Sequence, residues 1–172
     1  MFASTRMFSV FAAILVTLGA QAAHAENLIG SWATDCKPQP FGSSTRSFLM
    51  IEDQEISGLS ILYSDVNCTA SVKMHPLPFK GGKQAILKVG PGTSGGMNLD
   101  LQHVLCSGQT ERELDIVKFL NQDEVVFGDT PNSMVRPTKF SSESYKRITK
   151  EELMVVLVDT IGKGVQACAG GR

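Results

Sequence analysis

Met97–Cys106 limits the choice of fold more than any other stretch of the chain. Met97, Leu99, Leu101 and Leu105 share one parity, and Asn98, Asp100 and Gln102 share the other. A period of two belongs to a strand with one buried face. Similar short runs occupy Leu28–Cys36, Arg46–Asp53, Ile56–Ser64, Thr69–His75, Gln84–Val89, Arg112–Leu120 and Val125–Phe127. They are separated by turn-forming segments such as Lys37–Thr45, Pro76–Gly82 and Gly90–Gly96. About eight strands at spacings of roughly ten residues predict a mainly β fold, a single antiparallel up-and-down barrel or a sandwich. Thr149-Lys150-Glu151-Glu152 reads as a capping box. Leu153, Met154, Leu157, Val158 and Ile161 follow it at helical spacing, so one helix around 150–161 is expected to pack outside the barrel. The β-branched pair Val155-Val156 leaves a strand as the alternative there.

Residues 1–25 read as a cleaved signal peptide. Arg6 precedes the apolar run Met7–Leu18, and Ala23-His24-Ala25 supplies a small-x-small cleavage site. The apolar run is too short for a stable membrane anchor, and Glu26 rather than cysteine follows the cleavage site. The expected location is therefore the periplasm or the extracellular space, with residues 26–172 forming one domain. Cleavage removes one basic residue and no acidic one, so 15 basic and 17 acidic residues remain. That balance provides no electrostatic footprint for nucleic acid.

Cys36, Cys68, Cys106 and Cys168 all fall in the mature chain. They lie more than 30 residues apart, which excludes the close pairs that zinc or thioredoxin-like redox chemistry needs. Two structural disulfides are the expectation in an oxidising compartment. In a simple meander, Cys36 and Cys68 share the upper end and Cys106 lies at the lower one. The pairing Cys36–Cys68 with Cys106–Cys168 then avoids spanning the barrel. The same meander puts the loops Lys37–Thr45 and Gly90–Gly96 at the upper end, with Phe41 and Ser94 as rim contacts.

Gly92-Thr93-Ser94-Gly95-Gly96 matches G-x-S-x-G, but an alternating strand follows where the nucleophile elbow needs a helix. No catalytic residues are assigned, and an enzyme is not expected. No metal site or cofactor is expected either, because the mature chain holds only His75 and His103. His75 falls on an outward parity, whereas His103 falls on the inward parity among leucines. A hydrogen-bonded core histidine and a polar contact in a ligand cavity are both open for His103. Met50, Met74 and Met97 can all face inward, where thioethers would line an adaptable apolar space. Glu111, Glu113 and Asp115 read as an outward acidic edge.

Gly30-Ser31-Trp32 on the first strand resembles the lipocalin/calycin group of small secreted barrels. The resemblance implies that Gly30 admits the chain closely, that Trp32 plugs the closed end, and that Arg147 or Lys146 covers its ring. It bears on fold more than on function. The leading expectation is a non-enzymatic binding protein for a small apolar or amphipathic ligand, with Phe41, Met50, Met74, Ser94, Met97 and His103 as candidate contacts. An inhibitor of a secreted hydrolase, either a protease or a lysozyme, is the second. The Ser-Gly-x-x-Tyr loop of lysozyme inhibitors is not reproduced, since Gly96-Met97-Asn98 follows Ser94-Gly95. A structural envelope domain is the third.

Overall fold

A computed structural model describes residues 27–76, 79–92, 94–131 and 134–160. The expected signal peptide, Cys168 and Ile161 lie outside the described residues. Within them the chain forms ten strands: β1 (Gly30–Ala33), β2 (Lys37–Pro38), β3 (Ser44–Glu52), β4 (Glu55–Tyr63), β5 (Ser71–Pro76), β6 (Phe79–Pro91), β7 (Met97–Leu105), β8 (Thr110–Asn121), β9 (Glu124–Gly128) and β10 (Phe140–Ile148). One helix, α1 (Lys150–Thr160), follows. Strands β1, β3, β4, β6, β7, β8, β9 and β10 pair antiparallel in that order, and β10 returns to β1. The β10–β1 ladder and a short β4–β6 ladder close this eight-stranded barrel.

Two of the ten strands lie beside the barrel rather than in it. β2 pairs with the first residues of β3, and β5 runs along Leu59–Tyr63 of β4, leaving Glu55–Ser57 of β4 to pair with β6. One edge of β4 therefore serves two partners. This corrects the simple meander, which takes Thr69–His75 as a barrel strand. Every later strand runs opposite to the expected direction. The end of β7, and with it Cys106, lies at the upper end with Cys36 and Cys68. The turn Gly90–Gly96 lies at the lower end, so Ser94 is not a rim residue.

Cys36 and Cys68 are joined, with their Cα atoms 5.8 Å apart. The expected partner of Cys106, Cys168, lies outside the described residues. A Cys36→Ser/Cys68→Ser variant is expected to lose roughly 2–4 kcal/mol of stability, because the bridge closes a loop of some tens of residues in the unfolded chain. Urea unfolding of the variant against the parent measures it. A loss below about 1 kcal/mol would show that the upper loops are held without the bridge.

Two apolar clusters form, one on each side of the sheet. Inside, Trp32, Ile51, Ile56, Leu99, Val117 and Val125 pack together. Outside, Ala33, Phe48, Ile61 and Tyr63 meet Leu153 of α1, with Met50, Val156 and Leu157 against them. The pairs Met50↔Ser57 and Ile61↔Met74 put both methionines on the outer parity. Met50 lies under the helix and Met74 on that same outer face, so the expectation that they line the barrel interior is overturned. A helix makes this possible: it covers the apolar outer face of β3 and β4, so parity there does not distinguish inside from outside.

The α1 sequence forms a helix rather than the alternative strand. Its capping box closes both ways, with the Glu152 backbone N–H donating to Thr149 Oγ1 at 3.1 Å and the Thr149 N–H to Glu152 Oε2 at 2.7 Å. Its packed side is the buried Leu153 with the half-buried Val156 and Leu157, while Met154 and Val158 stay largely exposed.

Candidate functional site

The barrel has a sealed lower end and a hollow upper half, and the sequence of each strand explains the difference. At the lower end Trp32 is fully buried, and its indole N–H donates to the Leu28 carbonyl at 2.9 Å. Phe119 meets its ring edge-on at 6.2 Å between centroids. The Arg147 guanidinium lies 4.2 Å from the centre of the Trp32 ring and donates to the carbonyls of Ile29 and Asn27. Arg147, not Lys146, covers the ring; Lys146 is exposed and pairs with Asp35. Gly30 has φ of +145°, and a Cβ there would come within 2.6 Å of Arg147 Nη1. A side chain at position 30 would thus displace the arginine that closes the barrel.

Above this seal, the inward residues of β8 change character. Val117 and Phe119 are apolar, whereas Asp115, Glu113 and Glu111, on the same parity, pair with inward Leu99, Leu101 and His103 of β7. The acidic row therefore faces into the barrel. The expected outward acidic edge is overturned; the outward residues are Arg112, Leu114 and Ile116. Glu143 and Tyr145 of β10 share the inward parity of Arg147 across from them.

These residues border a cavity of about 280 Å3. Leu49, Ile56, Leu101 and Phe127 form its apolar walls, and Gln84, Glu113, Asp115, Ser141, Glu143 and Tyr145 supply its polar groups. Phe127 and Tyr145 meet edge to face, 5.6 Å apart. Pro131, exposed, stands at its border. A smaller pocket of about 190 Å3 adjoins it through Leu49 and Tyr145, and His75 and Ser60 stand there.

Asp115 is only 4% exposed. Its Oδ1 accepts the backbone N–H groups of Ile116 at 2.7 Å and Gly128 at 3.0 Å. Burial pushes its carboxyl up to about 7 against the pull of those two donors, with Glu113 adding to the rise and Arg136 opposing it. Gly128 has to be glycine, because a Cβ would lie 2.4 Å from Asp115 Oδ1 and 2.8 Å from Pro137. Burial, and then the neighbouring Glu143 carboxylate, pushes the Tyr145 phenol up to about 12, so its hydroxyl stays a donor.

The expected contacts are scattered across the molecule rather than gathered here. His103 does face inward and is 6% exposed. It stacks on Phe79 at 3.8 Å, sits 3.4 Å from Gln84 Nε2 through Nδ1 and 3.7 Å from Glu111 through Nε2, and meets the cavity only through Gln84. Met97 packs against the inner core at the lower end, below the cavity. Met50 borders a separate groove of about 410 Å3 between α1 and the outer face of β3 and β4. Phe41 stands at the upper end, fully exposed, in a 3-10 turn over Pro40–Gly42, with φ of 66°. Among the described residues no group of three or more His, Cys, Asp or Glu is placed to hold a metal ion.

Glu113, Asp115, Glu143 and Tyr145 were missed as site residues. The signal was present in β8, where acids and the apolar pair Val117 and Phe119 occupy one parity. No protein-family model matches the chain, and no curated protein matches it significantly.

Proposed function

We propose that the mature chain is a non-enzymatic binding protein of the periplasm or extracellular space that takes a small amphipathic ligand into the upper half of its barrel. The observation that carries this reading is the hollow interior above Trp32, where apolar walls and convergent polar groups share one space. Its volume of about 280 Å3 falls just below the usual range of ligand sites, roughly 300–1,000 Å3, so the ligand is compact rather than a long-chain lipid. The disulfide suits an oxidising compartment, and no described helix is long and apolar enough to cross a membrane.

A thermal-shift screen of small aromatic and short-alkyl amines, alcohols and acids tests the proposal. Binders are expected to raise the melting temperature of the mature protein, and Ser141→Phe, which narrows the cavity, is expected to abolish the rise. A screen without binders, or binders indifferent to Ser141→Phe, would overturn it.

Phe41 favours a second reading, inhibition of a secreted hydrolase. A fully exposed aromatic at positive φ, on a hairpin braced by Cys36–Cys68 and by β2, has the form of an anchor for a partner's apolar pocket. Phe41→Ala would then abolish inhibition while leaving the cavity's ligands bound.

A further inference from the structure

We infer that the occupant of the upper cavity is a small organic cation, an ammonium group on an aromatic or short alkyl body, held by Asp115, Glu113 and Glu143 beside Phe127 and Tyr145. This rests on the binding reading above and adds the charge of the ligand to it.

The charge balance of the cavity is one-sided. Three carboxylates border it, and no lysine or arginine is among the described residues that do; the exposed Lys37 ammonium, on β2, reaches Glu143 from outside at 3.9 Å. The guanidinium closest to Asp115, that of Arg136, is engaged outside the barrel by the Asp100 carboxylate and by the carbonyls of Leu99 and Asp115. Arg112 also lies against Asp100, and Arg147 is committed to the lower seal. Asp115 supplies a second, independent observation. Both backbone donors go to Oδ1, so its Oδ2 has no donor among the described residues, although the residue is more than nine-tenths buried and borders the cavity. An ammonium group at hydrogen-bond distance from Oδ2 would supply both a donor and the counter-charge. The edge-to-face pair Phe127 and Tyr145 adds a π surface of the kind that accepts cations. An anionic amphiphile of the same size would meet Glu113 and, above pH 7, the Asp115 carboxylate as like charges.

The groups around Asp115 make this binding pH-dependent. Glu113 and Glu111 lie on its own strand, Glu143 and Tyr145 on β10, His103 on β7, and Arg136 on the segment after β9. Because burial holds the Asp115 carboxyl near 7, lowering the pH from 8 to 5.5 neutralises it and weakens cation binding.

The test is an amide NMR titration of the mature protein with benzylammonium, benzyl alcohol and benzoate at pH 8 and pH 5.5. Benzylammonium is expected to shift the amides of Ile116, Phe127 and Gly128. At pH 8 it should bind about tenfold more tightly than benzyl alcohol, the scale of one charge-assisted contact, and benzoate should not bind. Its affinity should fall about tenfold at pH 5.5. Asp115→Asn and Glu113→Gln should each weaken it by about tenfold, and so lower its preference over benzyl alcohol. If benzyl alcohol binds as tightly as benzylammonium, or benzoate more tightly, the cationic ligand is overturned and the cavity reading stands. If none of the three binds, both are overturned.

Discussion

Trp32→Ala is expected to lower stability by roughly 3–5 kcal/mol and the melting temperature by roughly 10 °C or more. The indole is fully buried, so truncation leaves a cavity that the closed barrel cannot collapse into. Several attachments fail together. Phe119 loses its edge contact, the Leu28 carbonyl loses its donor, and Arg147 is left beside a void. Arg147 binds the carbonyls of Asn27 and Ile29, so the first described residues of the chain are also expected to detach. Trp32 is the only tryptophan, so unfolding of the variant has to be followed by far-UV circular dichroism. A loss below about 1 kcal/mol would show that the lower seal is held by the strand ladder alone. Trp32→Phe, which keeps an aromatic body but not the indole N–H, should fall between the two.

The barrel itself was legible because alternation is a local property. In β7 each inward leucine reports its own burial, whatever the strand pairs with. Direction is not local. Thr69–His75 alternates as well as a barrel strand does, yet it pairs with half of β4 and leaves the other half to β6. One misplaced strand reverses every later one, and for that reason the expectation put Cys106 and Gly90–Gly96 at the wrong ends. The pair Cys36–Cys68 survived because it lies before or beside that branch point.

Met50 and Met74 illustrate a different limit. Both sit on buried parities, but their burial comes from the outer face, part of which α1 covers, and a period of two cannot say which face of a sheet a helix will cover. The site was harder still. Acidic residues are ordinarily read as solvated, so Glu111, Glu113 and Asp115 read as an outward edge. Val117 and Phe119 on the same strand argued the other way, and β8 follows them.

Asp115→Asn is expected to stabilise the folded protein above pH 7 and to have little effect below pH 4. The folded-state carboxyl titrates near 7 against an ordinary value of 3.8, because burial penalises its charged form. Between those two values the folded chain holds a proton that the unfolded chain releases. Stability therefore falls as pH rises through this window, by about 1.4 kcal/mol per pH unit, and the loss is complete above it. The full difference is about 4 kcal/mol. Asparagine keeps an oxygen for the Ile116 and Gly128 N–H groups but carries no charge, so it escapes the loss. Urea unfolding of parent and variant at pH 4, 6 and 8 measures the divergence. If the two run parallel, Asp115 ionises in the fold without cost and the energetic case for a cationic ligand fails. If they diverge, the free protein carries a destabilising buried charge at neutral pH. A bound ammonium should offset much of that loss, and the gain in parent stability on adding benzylammonium should then be largest at pH 8, where the carboxylate is fully charged.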